Sequence, residues 1–227
     1  AKGPDMIAGS AIETMIAAEA ERFAKAKPAS AECARRTAKH WHRGVPFHWM
    51  LDWGTPFPLF VKEAKGAHLW DLDGQAFDDF CLGDTGAMFG HSPPPIAEAI
   101  AHQASRGLTA MLPGEDSVVV GDALASAFGL PWWQVTSSAS EANRAVIRWC
   151  RGITGRDKIL VFNGCYHGAV DDVFVDLRDG VPELRRSLVG QVYDVRDHTR
   201  VIEFNDRDAL AAALAPGDVA AVLTDPA

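Results

Sequence analysis

Apolar residues recur at helical spacing through residues 9–26, where Ile12, Ile16, Ala20 and Phe23 share one face and Glu13, Glu19, Glu21 and Arg22 lie elsewhere. Pro28 ends that helix, and residues 29–42 are expected to form a second. The pattern then breaks. Trp41, Phe47, Trp49, Trp53, Phe57 and Phe60 are interleaved with Gly44, Pro46, Gly54, Pro56 and Pro58, so residues 41–60 suit neither a helix nor a central strand. Aromatics on such a segment need an apolar surface to cover, and it is expected to drape over a domain or a neighbouring subunit. A strand meander follows in Leu59-Phe60-Val61, His68-Leu69-Trp70-Asp71 and Phe77-Asp78-Asp79-Phe80, with Asp73-Gly74 as a tight turn.

Helices are expected at 93–104, opened by prolines, and at 115–128. Beyond them, short apolar strands at 134–136, 159–162, 201–204 and 219–223 alternate with helices at 141–151 and 207–214. Fully apolar short strands between helices mean an α/β fold with a mostly parallel sheet covered on both faces. Residues 176–200, of mixed charge and containing glycine, read as a long surface excursion.

Composition narrows the partners. With 48% hydrophobic and 23% charged residues the chain is an ordinary globular protein, and its net charge of −8 repels nucleic acid and anionic membranes alike. No apolar run nears the roughly 20 residues of a membrane span, and Ala1-Lys2-Gly3-Pro4-Asp5-Met6 lacks the apolar core of a secretory signal. Cys33, Cys81, Cys150 and Cys165 show no metal-ligand spacing and read as reduced core thiols of a cytoplasmic protein; no metal site is expected.

One stretch carries specific chemistry. Thr136-Ser137-Ser138-Ala139-Ser140-Glu141-Ala142-Asn143 opens a helix, where the first amides lack internal partners and the helix dipole is positive. Asn163-Gly164-Cys165-Tyr166-His167-Gly168 follows the next strand. Taken alone, Ser138 and Glu141 fit a plain capping box, and Tyr166 with His167 fits a core aromatic beside a structural histidine. Taken together at the carboxyl edge of an α/β sheet, they suit a phosphorylated cofactor with a flat ring, its phosphate on the helix start and its ring against Tyr166.

The run Ser137-Ser138-Ala139-Ser140-Glu141-Ala142-Asn143 resembles the Asn-Ser-Gly-Thr-Glu-Ala-Asn motif of class-III aminotransferases, which are fold-type-I pyridoxal-phosphate enzymes, and Tyr166-His167-Gly168 matches their Tyr-His-Gly motif. Leu72-Asp73-Gly74, Phe80, Gly83-Asp84-Thr85-Gly86 and Gly90-His91-Ser92 resemble segments preceding the large domain in glutamate-1-semialdehyde aminomutases and β-amino-acid aminotransferases. Thr224-Asp225-Pro226 stands where the family has Glu-Pro. The resemblance covers about residues 40–227 and implies an incomplete large domain over residues 92–227, preceded by a helical and meander segment over residues 1–91. It further implies pyridoxal 5'-phosphate as cofactor. The amides of Ala139 and Ser140, with the Ser140 hydroxyl and Ser138, would hold its phosphate; Tyr166 would stack on the ring, His167 would support that wall, and Asp225 would replace a carboxylate beneath the ring. Gly83–Ala87, Gly86 included, would line the substrate side. Arg43 could pair a substrate carboxylate or be a solvated surface residue, and Trp49 could line an apolar pocket or an interface.

Three departures accompany the likeness. Ala139 replaces a glycine, Asp225 is one methylene shorter than Glu, and Lys2, Lys25, Lys27, Lys39, Lys62, Lys65 and Lys158 do not match the family's Schiff-base lysine motif. No catalytic residue is therefore assigned. The expectation is an aminotransferase acting on an amino acid or amino-carbonyl substrate, of which this chain is the N-terminal half, working as a homodimer or with a complementing C-terminal half. An aminomutase shares every motif. A metal-dependent hydrolase using His167, Asp171 and Asp172 lacks an HExxH signature, and a dinucleotide oxidoreductase lacks GxGxxG after a strand. A non-catalytic binding or scaffold protein is distinguished by whether the chain binds the cofactor.

Overall fold

Pro28 both stops one helix and starts the next. In the computed structural model, which describes residues 9–224, α1 spans Gly9–Ala26 and α2 spans Pro28–Thr37. A proline in the first turn of α2 lacks only an N–H that would be unpaired anyway. The next two amides, of Ala29 and Ser30, donate to the Asp73 carboxylate at 2.7 and 3.1 Å, and Ser30 Oγ donates to it at 2.9 Å. Helix α2 stops short of the expected residue 42, and His42–Gly44 forms a separate 3-10 turn because Arg43 and Gly44 both take positive φ.

The chain divides into two units, the first ending at Leu112 and the second beginning at Pro113. In the first, β1 (Val61–Lys65), β2 (His68–Asp71) and β3 (Ala76–Asp78) pair antiparallel in that order, with Gly74 at φ 83 in the expected turn. Asp71 on β2 is buried against Lys27, whose ammonium also donates to Gln75 at 2.5 Å. Residues 41–60 contain only 3-10 turns, and Trp41, Phe47, Trp49 and Trp53 stay largely exposed; Phe57 packs on Phe23 with ring centroids 5.1 Å apart. Helix α3 (Pro94–Ala104) completes this unit.

The second unit holds α4 (Asp116–Phe128), α5 (Ala139–Thr154), β4 (Lys158–Phe162), β5 (Val175–Arg178), β6 (Val181–Leu184), β7 (Thr199–Ile202), α6 (Arg207–Leu214) and β8 (Val219–Val222). A parallel sheet runs in the order β7-β4-β8. Along central β4 the side chains alternate, as a strand requires. Ile159 and Val161 join Ile147 of α5 in one core, whereas Leu160 packs with Ala209, Leu210 and Ala213 of α6. Helices therefore cover both faces.

Four expectations need correction. Residues 134–136 form no strand: Val135 is exposed and its backbone has no ladder partner among the described residues. The third parallel strand lies at Thr199–Ile202, earlier than 201–204, in register with β4 through Ile159 opposite Thr199. Residues 176–200 are largely exposed but not irregular: β5 and β6 form a hairpin, Val195 is buried in the core, and Leu177 and Leu188 pack against it. Cys81 is exposed rather than a core thiol. No helix of the described residues is long and apolar enough to cross a membrane.

Candidate functional site

Parallel pairing sends the carboxyl ends of β7, β4 and β8 to one edge of the sheet, and α5, connected to β4 by a short loop, starts at that edge. Ser138 caps α5, its Oγ accepting from the Glu141 amide at 3.3 Å, while the Glu141 carboxylate accepts from the Ser137 amide at 2.8 Å. The capping box is thus real, yet it satisfies only the amides of Glu141 and Ser137. Those of Ala139 and Ser140, the first two helical positions, have no acceptor among the described residues. Ala139 is exposed and keeps negative φ, so its methyl group in place of hydrogen causes no backbone strain.

The loop after β4 is fastened to that helix start. Gly168, at φ 84, approaches so closely that a Cβ there would lie 2.2 Å from Ser140 Oγ. The Ala169 amide donates to Ser140 Oγ at 3.0 Å, which leaves the hydroxyl hydrogen for another acceptor. Asn143 donates to the His167 carbonyl at 2.9 Å, and Arg144 to the Ala169 carbonyl at 3.3 Å. At the other end, the Asn163 side chain exchanges hydrogen bonds with both backbone groups of Leu177, at 2.8 and 3.0 Å, and donates to Glu203 at 2.8 Å. Between these fastenings Tyr166 is 67% exposed, whereas His167 is 5% exposed.

Ser138, Ala139, Ser140, Tyr166 and His167 are therefore brought together. Asp225 falls outside the described residues. Arg43, Trp49 and Gly86 belong to the first unit. Arg43 is exposed at φ 55, Trp49 stacks on Phe47 at 5.5 Å, and the Gly86 amide donates to the Gly83 carbonyl at 3.2 Å. The turn carrying Gly86 is closed by Asp79, which bonds His91 at 2.6 Å and accepts from the amides of Leu82 and Cys81. Those contacts, the His91 bond foremost, hold the Asp79 carboxyl below the usual carboxylate range. Lys158 lies at the amino end of β4, away from the loop, and donates to the Asp197 carbonyl. Among the described residues no group of three or more His, Cys, Asp or Glu could hold a metal ion; Asp172 pairs with Arg151 at 2.6 Å and Asp171 accepts from Gln191 at 3.1 Å.

Sequence reasoning passed over Asn143, Asn163 and Arg185 as loop supports. Asn143 stood within the quoted run, three positions after Ser140 and hence on the same helical face. Asn163 opened the other quoted run, directly after β4, whereas Arg185 carries no local signal.

The family model for aminotransferase class-III matches residues 50–227. A curated glutamate-1-semialdehyde 2,1-aminomutase of Neisseria meningitidis is 36% identical over 174 residues, 74% of this chain and 40% of that protein. The crystal structure of a glutamate-1-semialdehyde-aminomutase from Pseudomonas aeruginosa superposes with a TM-score of 0.90 at 53% identity, covering 95% of this chain and 48% of that one. A variant of the same protein in complex with PMP matches with the same values. The chain thus spans less than half the length of the relatives it matches, and its architecture is part of the fold-type-I aminotransferase fold. A profile match over most of its residues, on top of the serine-rich helix start and the Tyr-His-Gly loop, makes this chain a member of the class-III aminotransferase family.

Proposed function

We propose that this chain supplies the phosphate seat and ring wall of a pyridoxal-phosphate-dependent aminotransferase. The observation that carries this reading is the fastening of the Tyr166 loop onto a helix start whose first two amides lack an acceptor among the described residues. That donor set fits a phosphate: two amides aligned with the positive end of the α5 dipole, the spare hydrogen of Ser140 Oγ, and Ser138 beside them. The exposed Tyr166 offers a flat face to a heteroaromatic ring and sheds water in doing so.

When bound, pyridoxal 5'-phosphate supplies the electron sink for loss of a substrate's Cα proton. This chain's residues bind and orient. Ala139 and Ser140 hold the phosphate, Tyr166 covers one ring face, and His167 anchors that wall through the bond from Asn143 to its carbonyl. Asp225 is assigned to the ring's far side. In the assembled enzyme Arg43, Trp49 and Gly86 are assigned to the substrate, an amino acid or amino-carbonyl compound. The lysine that moves the proton is assigned outside these residues. The reading assigns the protein to the cytoplasm and has it working as a homodimer or with a complementing C-terminal half; the exposed aromatics of residues 41–60 support the partnership by offering a surface to it.

Titration of the full chain with pyridoxal 5'-phosphate tests the reading. Saturable change in the cofactor's absorbance is expected, and Tyr166→Ala should weaken binding about three- to tenfold, the value of one aromatic stack. Absence of saturable binding refutes it. The narrower reading, an aminomutase of the glutamate-1-semialdehyde type, is favoured by the 53% identity to a solved protein of that name. An aminomutase returns the amine to the same carbon skeleton, so release of one keto product per amino donor consumed would refute that narrower reading.

A further inference from the structure

We propose that Arg185 is a positioning residue for Tyr166, acting through the carbonyl of Cys165; this rests on the cofactor-site reading above. Arg185 follows β6 directly, and its backbone amide donates to the Phe174 carbonyl at 3.0 Å, which fixes where its side chain starts. From there the side chain turns inward and is only 16% exposed. Its Nε donates to Asp176 at 2.7 Å, its Nη2 donates to the Cys165 carbonyl at 2.5 Å, and the guanidinium lies over the Phe174 ring at 5.6 Å. A carboxylate, a carbonyl and a ring therefore hold one planar group, and a rigid fork can serve diverging acceptors where a lysine ammonium reaches them only as a point charge.

The carbonyl it grips immediately precedes Tyr166. The carbonyl of His167, in the second peptide unit after Tyr166, is held by Asn143. With the peptide unit before Tyr166 and the second one after it both fastened, the short stretch of backbone that carries Tyr166 is bracketed, and its freedom is reduced. Arg185 thus ties the β5–β6 hairpin to the proposed ring wall, although the hairpin's own contribution to the core is made by Val175 and Leu177 without it.

The test uses the full chain and three variants, Arg185→Met, Arg185→Lys and Arg178→Met. Arg178 pairs with Glu183 in the same hairpin at 3.3 Å, with both side chains about half exposed, and among the described residues it makes no bond to the loop. Two readouts are taken: amide hydrogen exchange of residues 163–170 without cofactor, and equilibrium titration with pyridoxal 5'-phosphate. Arg185→Met is expected to speed loop exchange about tenfold and to weaken cofactor binding by a similar factor, as loss of a charge-assisted bond requires. Exchange in α6 should stay unchanged, Arg185→Lys should fall between, and Arg178→Met should match the parent chain. Should Arg185→Met fail to fold, Arg185→Lys carries the comparison with a smaller loss of about threefold, since one of two bonds survives. Unchanged loop exchange in the Arg185 variants, or equal loosening by Arg178→Met, overturns the proposal. If the loop loosens while the parent chain binds no cofactor, the anchoring by Arg185 stands and the cofactor reading falls. If the parent binds and the loop does not respond, the reverse holds.

Discussion

Replacing Gly168 by alanine tests the contact that joins the loop to the helix start. The added Cβ would lie 2.2 Å from Ser140 Oγ, 2.9 Å from its Cα and 3.0 Å from its Cβ. The hydroxyl can rotate aside, but the Cα is backbone of α5 and cannot move without shifting the first turn. Gly164, earlier in the same loop, is a matched control: its φ is 76 against 84 for Gly168, yet nothing lies within 4 Å of a Cβ built there. Both alanine variants meet the left-handed backbone penalty, about 1–2 kcal/mol. Only Gly168→Ala adds overpacking, about 1–3 kcal/mol. The expected losses are therefore about 1–2 kcal/mol for Gly164→Ala and about 2–5 kcal/mol for Gly168→Ala, with the difference isolating the close approach. Urea unfolding of the full chain, followed at constant slope, measures both. Cofactor affinity should fall further in the Gly168 variant, because Ser140 is displaced with the loop. Equal loss of stability in the two variants would refute the claim that the loop is pressed onto Ser140.

Two more outcomes follow from buried and paired charges. Lys27→Met leaves the Asp71 carboxylate buried without its cation and should cost about 3–5 kcal/mol, whereas Lys27→Met with Asp71→Leu should recover most of that; a double variant no more stable than the single one would refute the pairing argument. Asp71, Asp79 and Asp218 all have carboxyl groups held below the ordinary value: Asp71 despite the opposing effect of burial, through Lys27; Asp79 chiefly through His91; Asp218 chiefly through Arg200, which meets its two oxygens at 2.6 and 2.7 Å. Groups whose folded pKa is depressed stabilise fully above the unfolded carboxylate value, and the gain is lost as pH falls through the folded one. Urea midpoints should therefore drop as pH falls below about 5 and keep dropping through the depressed folded values, and Asp79→Asn should flatten that fall; a slope identical in parent and variant would refute the assignment of Asp79.

Much of the fold was legible because the strongest patterns have a single physical reading. Ile159-Leu160-Val161 is apolar at every position, and such a strand needs cover on both faces, which α5 and α6 provide. The bounds of α6, Arg207–Leu214, coincide with the apolar periodicity, helped by Asp206, whose side chain accepts from the Ala209 amide at 2.8 Å. Residues 134–136 misled because Val135 has strand propensity, while a strand exists only where a neighbour pairs with it. The hairpin at 175–184 was hidden by its charges. Val175, Leu177, Val181 and Leu184 are interspersed with Asp176, Arg178, Glu183 and Arg185 around Asp179-Gly180, both at positive φ. That Asp-Gly turn is the same signal that marked the meander at Asp73-Gly74, and net charge over the window concealed it.

The candidate site was legible only where a motif could be local. Ser138, Ala139, Ser140, Tyr166 and His167 lie in two short runs, and each run has a reason to bind: unpaired amides at a helix start, a flat ring beyond a strand. What holds the second run in place comes from far away in sequence. Asn143 and Arg185 grip carbonyls 24 and 20 residues distant, and Asn163 pairs with Leu177 at a separation of 14. A side chain that bonds a remote carbonyl leaves no periodicity and no spacing, because its partner is a peptide group that every residue owns. On the proposed reading these bonds would matter to binding. An exposed Tyr166 on a slack loop would lose conformational entropy each time a ligand ordered it, about 0.5–1.5 kcal/mol for the side chain alone. Bonds to the Cys165 and His167 carbonyls reduce the backbone's share of that ordering before any ligand arrives, while the side chain's share remains. On the proposed reading, the affinity of the site would therefore depend on Asn143 and Arg185 as well as on the residues that touch the ligand.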